Sequence, residues 1–182
     1  MDKINLQVVR ESFGRVAYSH KTHEKAAEIE DSNNKIVKGV NIVLTTLTSG
    51  TLASTIITNQ NTLLYIGAIL SALTLGFTIF QLSFNPAKKA EKHRYVAKEL
   101  WYIREKYINL IADLINDRLS DESIVSKRNQ LIEELKIIYK FAPQTDSKSY
   151  EKARKALKIN EELTFSGEEI DQFLPKKLRI EN

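Results

Sequence analysis

Residues Gly39 to Ala87 read GVNIVLTTLTSGTLASTIITNQNTLLYIGAILSALTLGFTIFQLSFNPA, a run of 49 residues without Asp, Glu, Lys or Arg. All 50 charged residues of the chain lie outside it. A charge at the centre of a bilayer costs at least about 2.5–3.5 kcal/mol, so segments that cross lipid exclude it. The run is too long for one spanning helix of ~20 residues and matches two. Thr58-Asn59-Gln60-Asn61-Thr62 breaks it near the middle. The stretch predicts a transmembrane helical hairpin over residues 39–85, with spans near 39–57 and 63–84.

The flanks set the orientation. Lys35 and Lys38 precede the first span, Lys88, Lys89, Lys92 and Arg94 follow the second, and the connecting turn has no cation. The positive-inside rule then places both termini in the cytoplasm. The first 30 residues carry ten charged side chains and no apolar signal core. Net charge is +4. That favours anionic lipid headgroups and is too little to argue for nucleic acid, so no direct nucleic-acid binding is expected. The absence of cysteine excludes disulfides, thiolate metal sites and cysteine nucleophiles.

Outside the hairpin the periodicity is helical, and the fold class is all-α: a two-helix membrane hairpin with a cytoplasmic helical bundle of antiparallel, coiled-coil-like helices. The N-terminal region, 1–38, predicts an amphipathic helix over 4–30 with Val9, Phe13, Val16, His20, His23 and Ala27 on one stripe. Asp31-Ser32-Asn33-Asn34 is expected to kink the chain before the membrane. In the C-terminal region, 86–182, Asn85-Pro86 starts a long helix to about Arg118. Its seam is Ala90, His93, Ala97, Leu100, Arg104, Tyr107, Ile111 and Leu114, widened by Trp101, Ile108 and Ile115. A turn at Leu119-Ser120-Asp121 leads to an antiparallel helix, 122–141, packing through Ile124, Leu131, Leu135 and Ile138. A polar, peripheral helix over 147–163 follows, capped by Thr145 or Ser147, with Tyr150, Ala153, Leu157 and Ile159 as its apolar positions. Ser166-Gly167-Glu168-Glu169 forms a capping box for a short helix at 170–173. The last residues, 176–182, are expected to be loose. The three regions form one unit.

Both spans carry polar stripes. Asn41, Thr45, Thr48, Thr55 and Asn59 follow one face of the first, interrupted by Leu52, and Ser71, Thr74, Thr78, Gln81 and Asn85 one face of the second. In an antiparallel pair Asn41 is level with Gln81 or Asn85, and Thr45 with Thr78. Two uses fit. The stripes bond the two helices to each other, or they line water when several hairpins assemble, which makes Asn41, Thr45, Thr48, Ser71, Thr74, Thr78 and Gln81 the pore-lining candidates. Threonine satisfies its hydroxyl on its own helix; the amides of Asn41 and Gln81 do so less readily. Small residues also recur every four positions, at Thr46, Gly50 and Ser54 and at Ala68, Ala72 and Gly76. These are candidates for close helix packing, within the hairpin or between chains.

His20, His23 and His93 lie in the apolar seams. Zinc needs three or four ligands at recognisable spacing, so structural or pH-sensitive packing is the expectation, and no metal or cofactor is predicted. Lys88, Lys89 and Lys92 are candidates for lipid or phosphate contact. Arg104, beside Glu105, is expected to pair across helices. No catalytic set stands in its required context, so no enzyme is expected.

Tyr18-Ser19-His20-Lys21-Thr22-His23-Glu24-Lys25 before the spans is one half of a recognisable pattern. Glu91-Lys92-His93-Arg94, Leu100-Trp101 and Arg104-Glu105-Lys106-Tyr107 after them are the other. The tail adds Ile138-Tyr139-Lys140-Phe141-Ala142-Pro143, Asn160-Glu161-Glu162-Leu163-Thr164-Phe165-Ser166 and Phe173-Leu174-Pro175. Over nearly its whole length the chain resembles the SLATT family, two-transmembrane effectors associated with SMODS nucleotidyltransferases and SLOG nucleotide sensors in bacteria. Tyr18, His20, His23, His93, Arg94, Trp101 and Arg104 carry the resemblance in the soluble part. It implies a homo-oligomeric effector of a conflict or anti-phage defence system that permeabilises the inner membrane, arresting growth or killing the cell. It also implies a trigger: a nucleotidyltransferase, nucleotide sensor or reverse transcriptase encoded nearby, or its product. The alternative is a membrane-anchored adaptor that recruits a cytoplasmic complex without forming a pore.

Overall fold

The computed structural model describes residues 3–58 and 60–179. Asn59 of the first polar stripe, and residues 1–2 and 180–182 at the ends of the outer regions, lie outside the described residues. The elements are α1 (Lys3–Thr58), α2 (Asn61–Phe84), α3 (Pro86–Ile115), α4 (Asp121–Phe141), α5 (Ser147–Lys158), α6 (Gly167–Phe173) and a 3₁₀ turn at Lys176–Leu178. No strand occurs among the described residues.

Helix α1 is the axis of the molecule. Its 56 residues extend ~84 Å at 1.5 Å per residue. The far half pairs with α2; the near half packs against α3 and α5, and α3 carries α4. The expected break at Asp31-Ser32-Asn33-Asn34 does not interrupt the helix. None of these residues removes a backbone donor, and their side chains are engaged without breaking the ladder: Asn33 donates to Glu30, and Asp31 pairs with Arg94 of α3.

Two of the helices are long and apolar enough to cross a membrane, α1 through its far half and α2. Their apolar side chains point outward: Ile56 is 85 % and Leu82 73 % exposed. Large side chains left in water forfeit about 1.5–3 kcal/mol each, whereas lipid accepts them. Asn85 alone separates α2 from α3. Its left-handed backbone (φ 34°) ends α2, and its side chain accepts a bond from the Lys88 amide to start α3, with Pro86 in the first turn.

The main core joins Val9 and Val16 of α1, Val96, Leu100, Ile103, Tyr107, Leu110 and Leu114 of α3, and Ile124 and Leu131 of α4. The α1 stripe and most of the expected α3 seam are inside. Helix α3 has a second buried seam, Val96-Ile103-Leu110, which faces α4. Trp101, Ile108 and Ile115 do not widen the buried face: all three are exposed, because α1 and α4 occupy the neighbouring sides. Helix α3 stops at Ile115 rather than Arg118, where Asp117 turns to positive φ. Ser120 caps α4.

Helix α5 is shorter than predicted and far from peripheral. Asp146, rather than Thr145 or Ser147, caps it, in a reciprocal box with Ser149. It lies on α1 through Ser149, Ala153 and Ala156, all fully buried, while Tyr150 and Ile159 face out. Three small residues let the backbones approach closely, a contact that ranking by hydrophobicity overlooks. The Ser166 capping box forms as predicted, on a helix that begins at Gly167, and Lys176–Leu178, expected to be loose, makes a single 3₁₀ turn.

Candidate functional site

In the hairpin the two polar stripes face each other. Thr48 Oγ1 lies 3.1 Å from Thr74 Oγ1. Each hydroxyl also sits 2.8 Å from a carbonyl of its own helix, Leu44 O and Leu70 O. A hydroxyl has one proton, so the pair bonds across the helices only when one partner releases its own carbonyl. Thr55 and Thr78 donate to Thr51 O and Thr74 O. Seven residues further along each helix, Asn41 and Gln81 fall at the same level. Asn41 Oδ1 and Gln81 Oε1 are buried without a hydrogen-bond partner. These two acceptors are the costliest polar groups of the seam.

Of the seven pore-lining candidates, Asn41, Thr48, Ser71, Thr74, Thr78 and Gln81 are half-buried on the inner faces, and Thr45 points outward. The small residues divide differently. Thr46, Gly50, Ala68, Ala72 and Gly76 are exposed, and Cβ atoms built on Gly50 and Gly76 would meet nothing within 4 Å. Among the hairpin's glycines only Gly67 is packed, where an added Cβ would stand 3.0 Å from Leu52 Cδ2, and Ser54 and Ser71 are half-buried. The polar face thus closes the hairpin and the small face is left uncovered.

Beneath the hairpin, α1 and α3 bring three histidines together. His20 Nδ1 donates to Ala97 O at 2.9 Å, leaving Nε2 3.6 Å from Glu24. His23 Nδ1 and His93 Nδ1 are 3.0 Å apart, their ring centroids 5.2 Å. All three rings are buried. Burial lowers every one of their pKa values below the usual 6.5. In His20 the Ala97 carbonyl and Glu24 oppose the shift, and in His93 Glu30 and Asp146 do. His23, flanked by both other histidines, falls to about 4. Among the described residues no group of three or more ligating side chains could hold a metal ion.

A cluster that the sequence reading missed adjoins this junction. Lys21 is buried, and its Nζ lies 2.7 Å from both Glu24 and Glu162. Glu162 also reaches Lys25 at 3.5 Å. Burial lowers the Lys21 pKa, but the two carboxylates more than offset it, and the net direction is up. Glu162 is lowered, chiefly by its bond to Lys21. Glu161 and Leu163, at φ 52° and 84°, flank it in left-handed conformations that non-glycine residues adopt only under constraint. The available signal was a lysine between His20 and His23 of the α1 stripe, with carboxylates in the quoted tail segment.

The remaining motif residues disperse. Tyr18 stacks on Tyr150 at 6.0 Å, which ties α1 to α5. Arg94 pairs with Asp31. Arg104 bonds its own neighbour Glu105 at 2.6 Å, not another helix, because Glu105 is the nearest carboxylate; its Nη1 has no partner. Trp101 borders a cleft of about 500 Å³ with Lys21, Arg94 and Lys98 and with Glu24, Glu28 and Asp31. Lys88, Lys89 and Lys92 are exposed, with Lys89 Nζ 4.1 Å from the Phe84 ring centroid.

The family model of the SMODS and SLOG-associating 2TM effector domain, family 4, matches residues 6–169. The chain belongs to this family. No curated protein and no solved structure matches it. The match spans both membrane-length helices and the histidine junction, so α1 through α5 constitute the effector domain. The Glu161-Glu162-Leu163 turn lies inside it as well.

Proposed function

We propose that this effector acts on the inner membrane of a bacterium as an oligomer, both termini cytoplasmic, opening a polar path when a partner enzyme or its nucleotide product triggers it. The observation that carries this reading is the division of the hairpin's faces: polar side chains closed against each other, small side chains open to the surroundings. Two helices cannot enclose water, so a path requires several chains. The small face through Thr46, Gly50, Ala68, Ala72 and Gly76 suits contact between hairpins. Helix contacts through such hydroxyls and amides are worth only ~0.6–2 kcal/mol each in lipid, so neighbouring chains can replace Thr48–Thr74 at little cost. Rotation of the hairpins would then expose Asn41, Thr48, Thr74, Thr78 and Gln81 to a shared interior and hydrate the orphaned amide oxygens.

The chain has no cysteine, which permits a clean test. Thr48→Cys with Thr74→Cys, oxidised, locks the polar faces together. Cells expressing this variant with the triggering partner are expected to keep their membrane potential until a reductant is added, whereas wild type depolarises. Undiminished depolarisation with the hairpin locked overturns the mechanism. Thr74→Leu plus Thr78→Leu is expected to abolish depolarisation without loss of membrane-inserted protein. The adaptor reading predicts instead that an unrelated two-span anchor replacing residues 39–85 retains activity; the pore reading predicts its loss.

A further inference from the structure

Helix α4 returns toward the membrane, and its last residue, Phe141, stands in a cleft with residues of the first turns of α3. The cleft has a volume of about 440 Å³ and is lined by Lys88, Lys92 and Tyr95 of α3 and by Ile137 and Phe141 of α4, with Glu91 and Glu99 on its α3 wall. Along α3, Lys88 and Lys92 lie ~5 and ~11 Å beyond Asn85, where the apolar run ends. The headgroup layer of a bilayer is about 5–7 Å deep on each side of the hydrocarbon. Residues that share a cleft with Lys88 therefore lie at or next to headgroup depth.

The side chains suit that depth. Phe141 is 74 % and Ile137 63 % exposed, a costly placement in water at the tip of a helix. Neither Lys88 nor Lys92 forms an ion pair among the described residues. Lys140 Nζ lies 5.5 Å from the Phe141 ring centroid, and Lys89 Nζ 4.1 Å from that of Phe84, so the same pairing of cation and aromatic ring recurs on two sides of the boundary. Pro143 ends the helix and carries the chain away toward Lys89 and Lys92.

We propose that this cleft seats the headgroup of an anionic phospholipid of the surrounding bilayer. Lys88 and Lys92 contact the phosphate, and Ile137 and Phe141 dip into the interfacial layer. Glu91 stands between the two lysines along α3 and Glu99 at the end away from the membrane, which leaves Lys88 as the cation nearest the bilayer. The lipid thereby fastens α4, fifty residues downstream of the hairpin in sequence, to the membrane surface. The inference rests on the hairpin lying in lipid.

The test uses full-length protein in nanodiscs and the fact that Trp101 is the sole tryptophan. In a Trp101→Phe background, Phe141→Trp provides a probe at the cleft, and Leu73→Trp one in the second span. Phosphatidylglycerol and phosphatidylcholine, each brominated near the glycerol, are the quenchers. The tryptophan introduced at position 141 is expected to be quenched by both lipids and more strongly by phosphatidylglycerol, with about fivefold preference per lysine lost in Lys88→Gln plus Lys92→Gln. Equal quenching by the two lipids, or none, while the probe at position 73 is quenched, overturns the proposal. No quenching at position 73 removes the hairpin from lipid instead. An independent readout in the unmutated chain is a higher Tm in phosphatidylglycerol than in phosphatidylcholine nanodiscs, absent after Lys88→Gln plus Lys92→Gln; equal values also overturn the proposal.

Discussion

His23 of α1 and His93 of α3 meet nitrogen to nitrogen, Nδ1 to Nδ1 at 3.0 Å, inside the junction that carries the hairpin. One ring must donate and the other accept, so both cannot carry two protons in this geometry. His20 above, with Glu24, Lys21 and Arg104 around it, and Glu30 and Asp146 facing His93, complete the electrostatic surroundings. Because burial holds His23 neutral down to about pH 4, the unfolded chain binds more protons than the folded one below about 6.5. Stability is therefore full above 6.5 and falls as pH drops toward 4, by about 3 kcal/mol for His23 alone. Thermal unfolding in nanodiscs across pH 7.5 to 4 measures this. His23→Phe is expected to flatten the profile, and an unchanged slope in that variant contradicts the assignment.

Gly67 and Gly50 look equivalent on paper and face opposite ways. Gly67→Val forces the hairpin apart at Leu52, with an expected cost of about 1–3 kcal/mol of hairpin stability. Gly50→Val and Gly76→Val project into open space and are expected to leave the single chain as stable as wild type while weakening contact between chains. Steric trapping or urea unfolding in bicelles separates the first effect, and cross-linking yield the second.

The Lys21–Glu162 bridge fixes the end of α5 on α1. Glu162→Gln is expected to destabilise that docking by about 1–2 kcal/mol, a value that allows for solvent around the carboxylate. Since the Glu162 pKa is lowered, the contribution is present above the usual carboxylate range and is lost as pH falls below it. Limited proteolysis between residues 142 and 166 reads the change. A double-mutant cycle with Lys21→Met that shows no coupling would refute the assignment.

Trp101, Ile108 and Ile115 recur at seven-residue spacing on an uncovered side of α3. That repeat has the spacing of one heptad position of a coiled coil, and it is expected to serve contact with a second copy. Ile108→Glu is expected to preserve helicity and membrane insertion and to lower the oligomer fraction in light scattering. Ile108→Cys is expected to yield a disulfide-linked dimer, given that no other cysteine competes. A monomeric wild-type chain at high concentration would rule this out.

Sequence by itself determined which segment is apolar enough to cross a membrane, because exclusion of charge from residues 39–87 is a composition rule that no packing alters. It also determined the helices outside, whose caps at Asn85 and Ser166 are local chemistry, and the burial of His20, His23 and His93, which follows from a 3–4 repeat. Only the tertiary structure decided which face of the hairpin turned inward. Threonine satisfies its hydroxyl on its own helix, so lipid tolerates the polar face almost as well as the small one, and periodicity has no free-energy difference to detect. In the folded hairpin Gly67 lies against Leu52 on the inner side, while Gly50 and Gly76 face open space. The same holds for α5: Ser149, Ala153 and Ala156 bury little apolar area, so their contact with α1 depends on shape and on a lysine meeting a glutamate 141 residues away, relationships that exist only once the chain is folded.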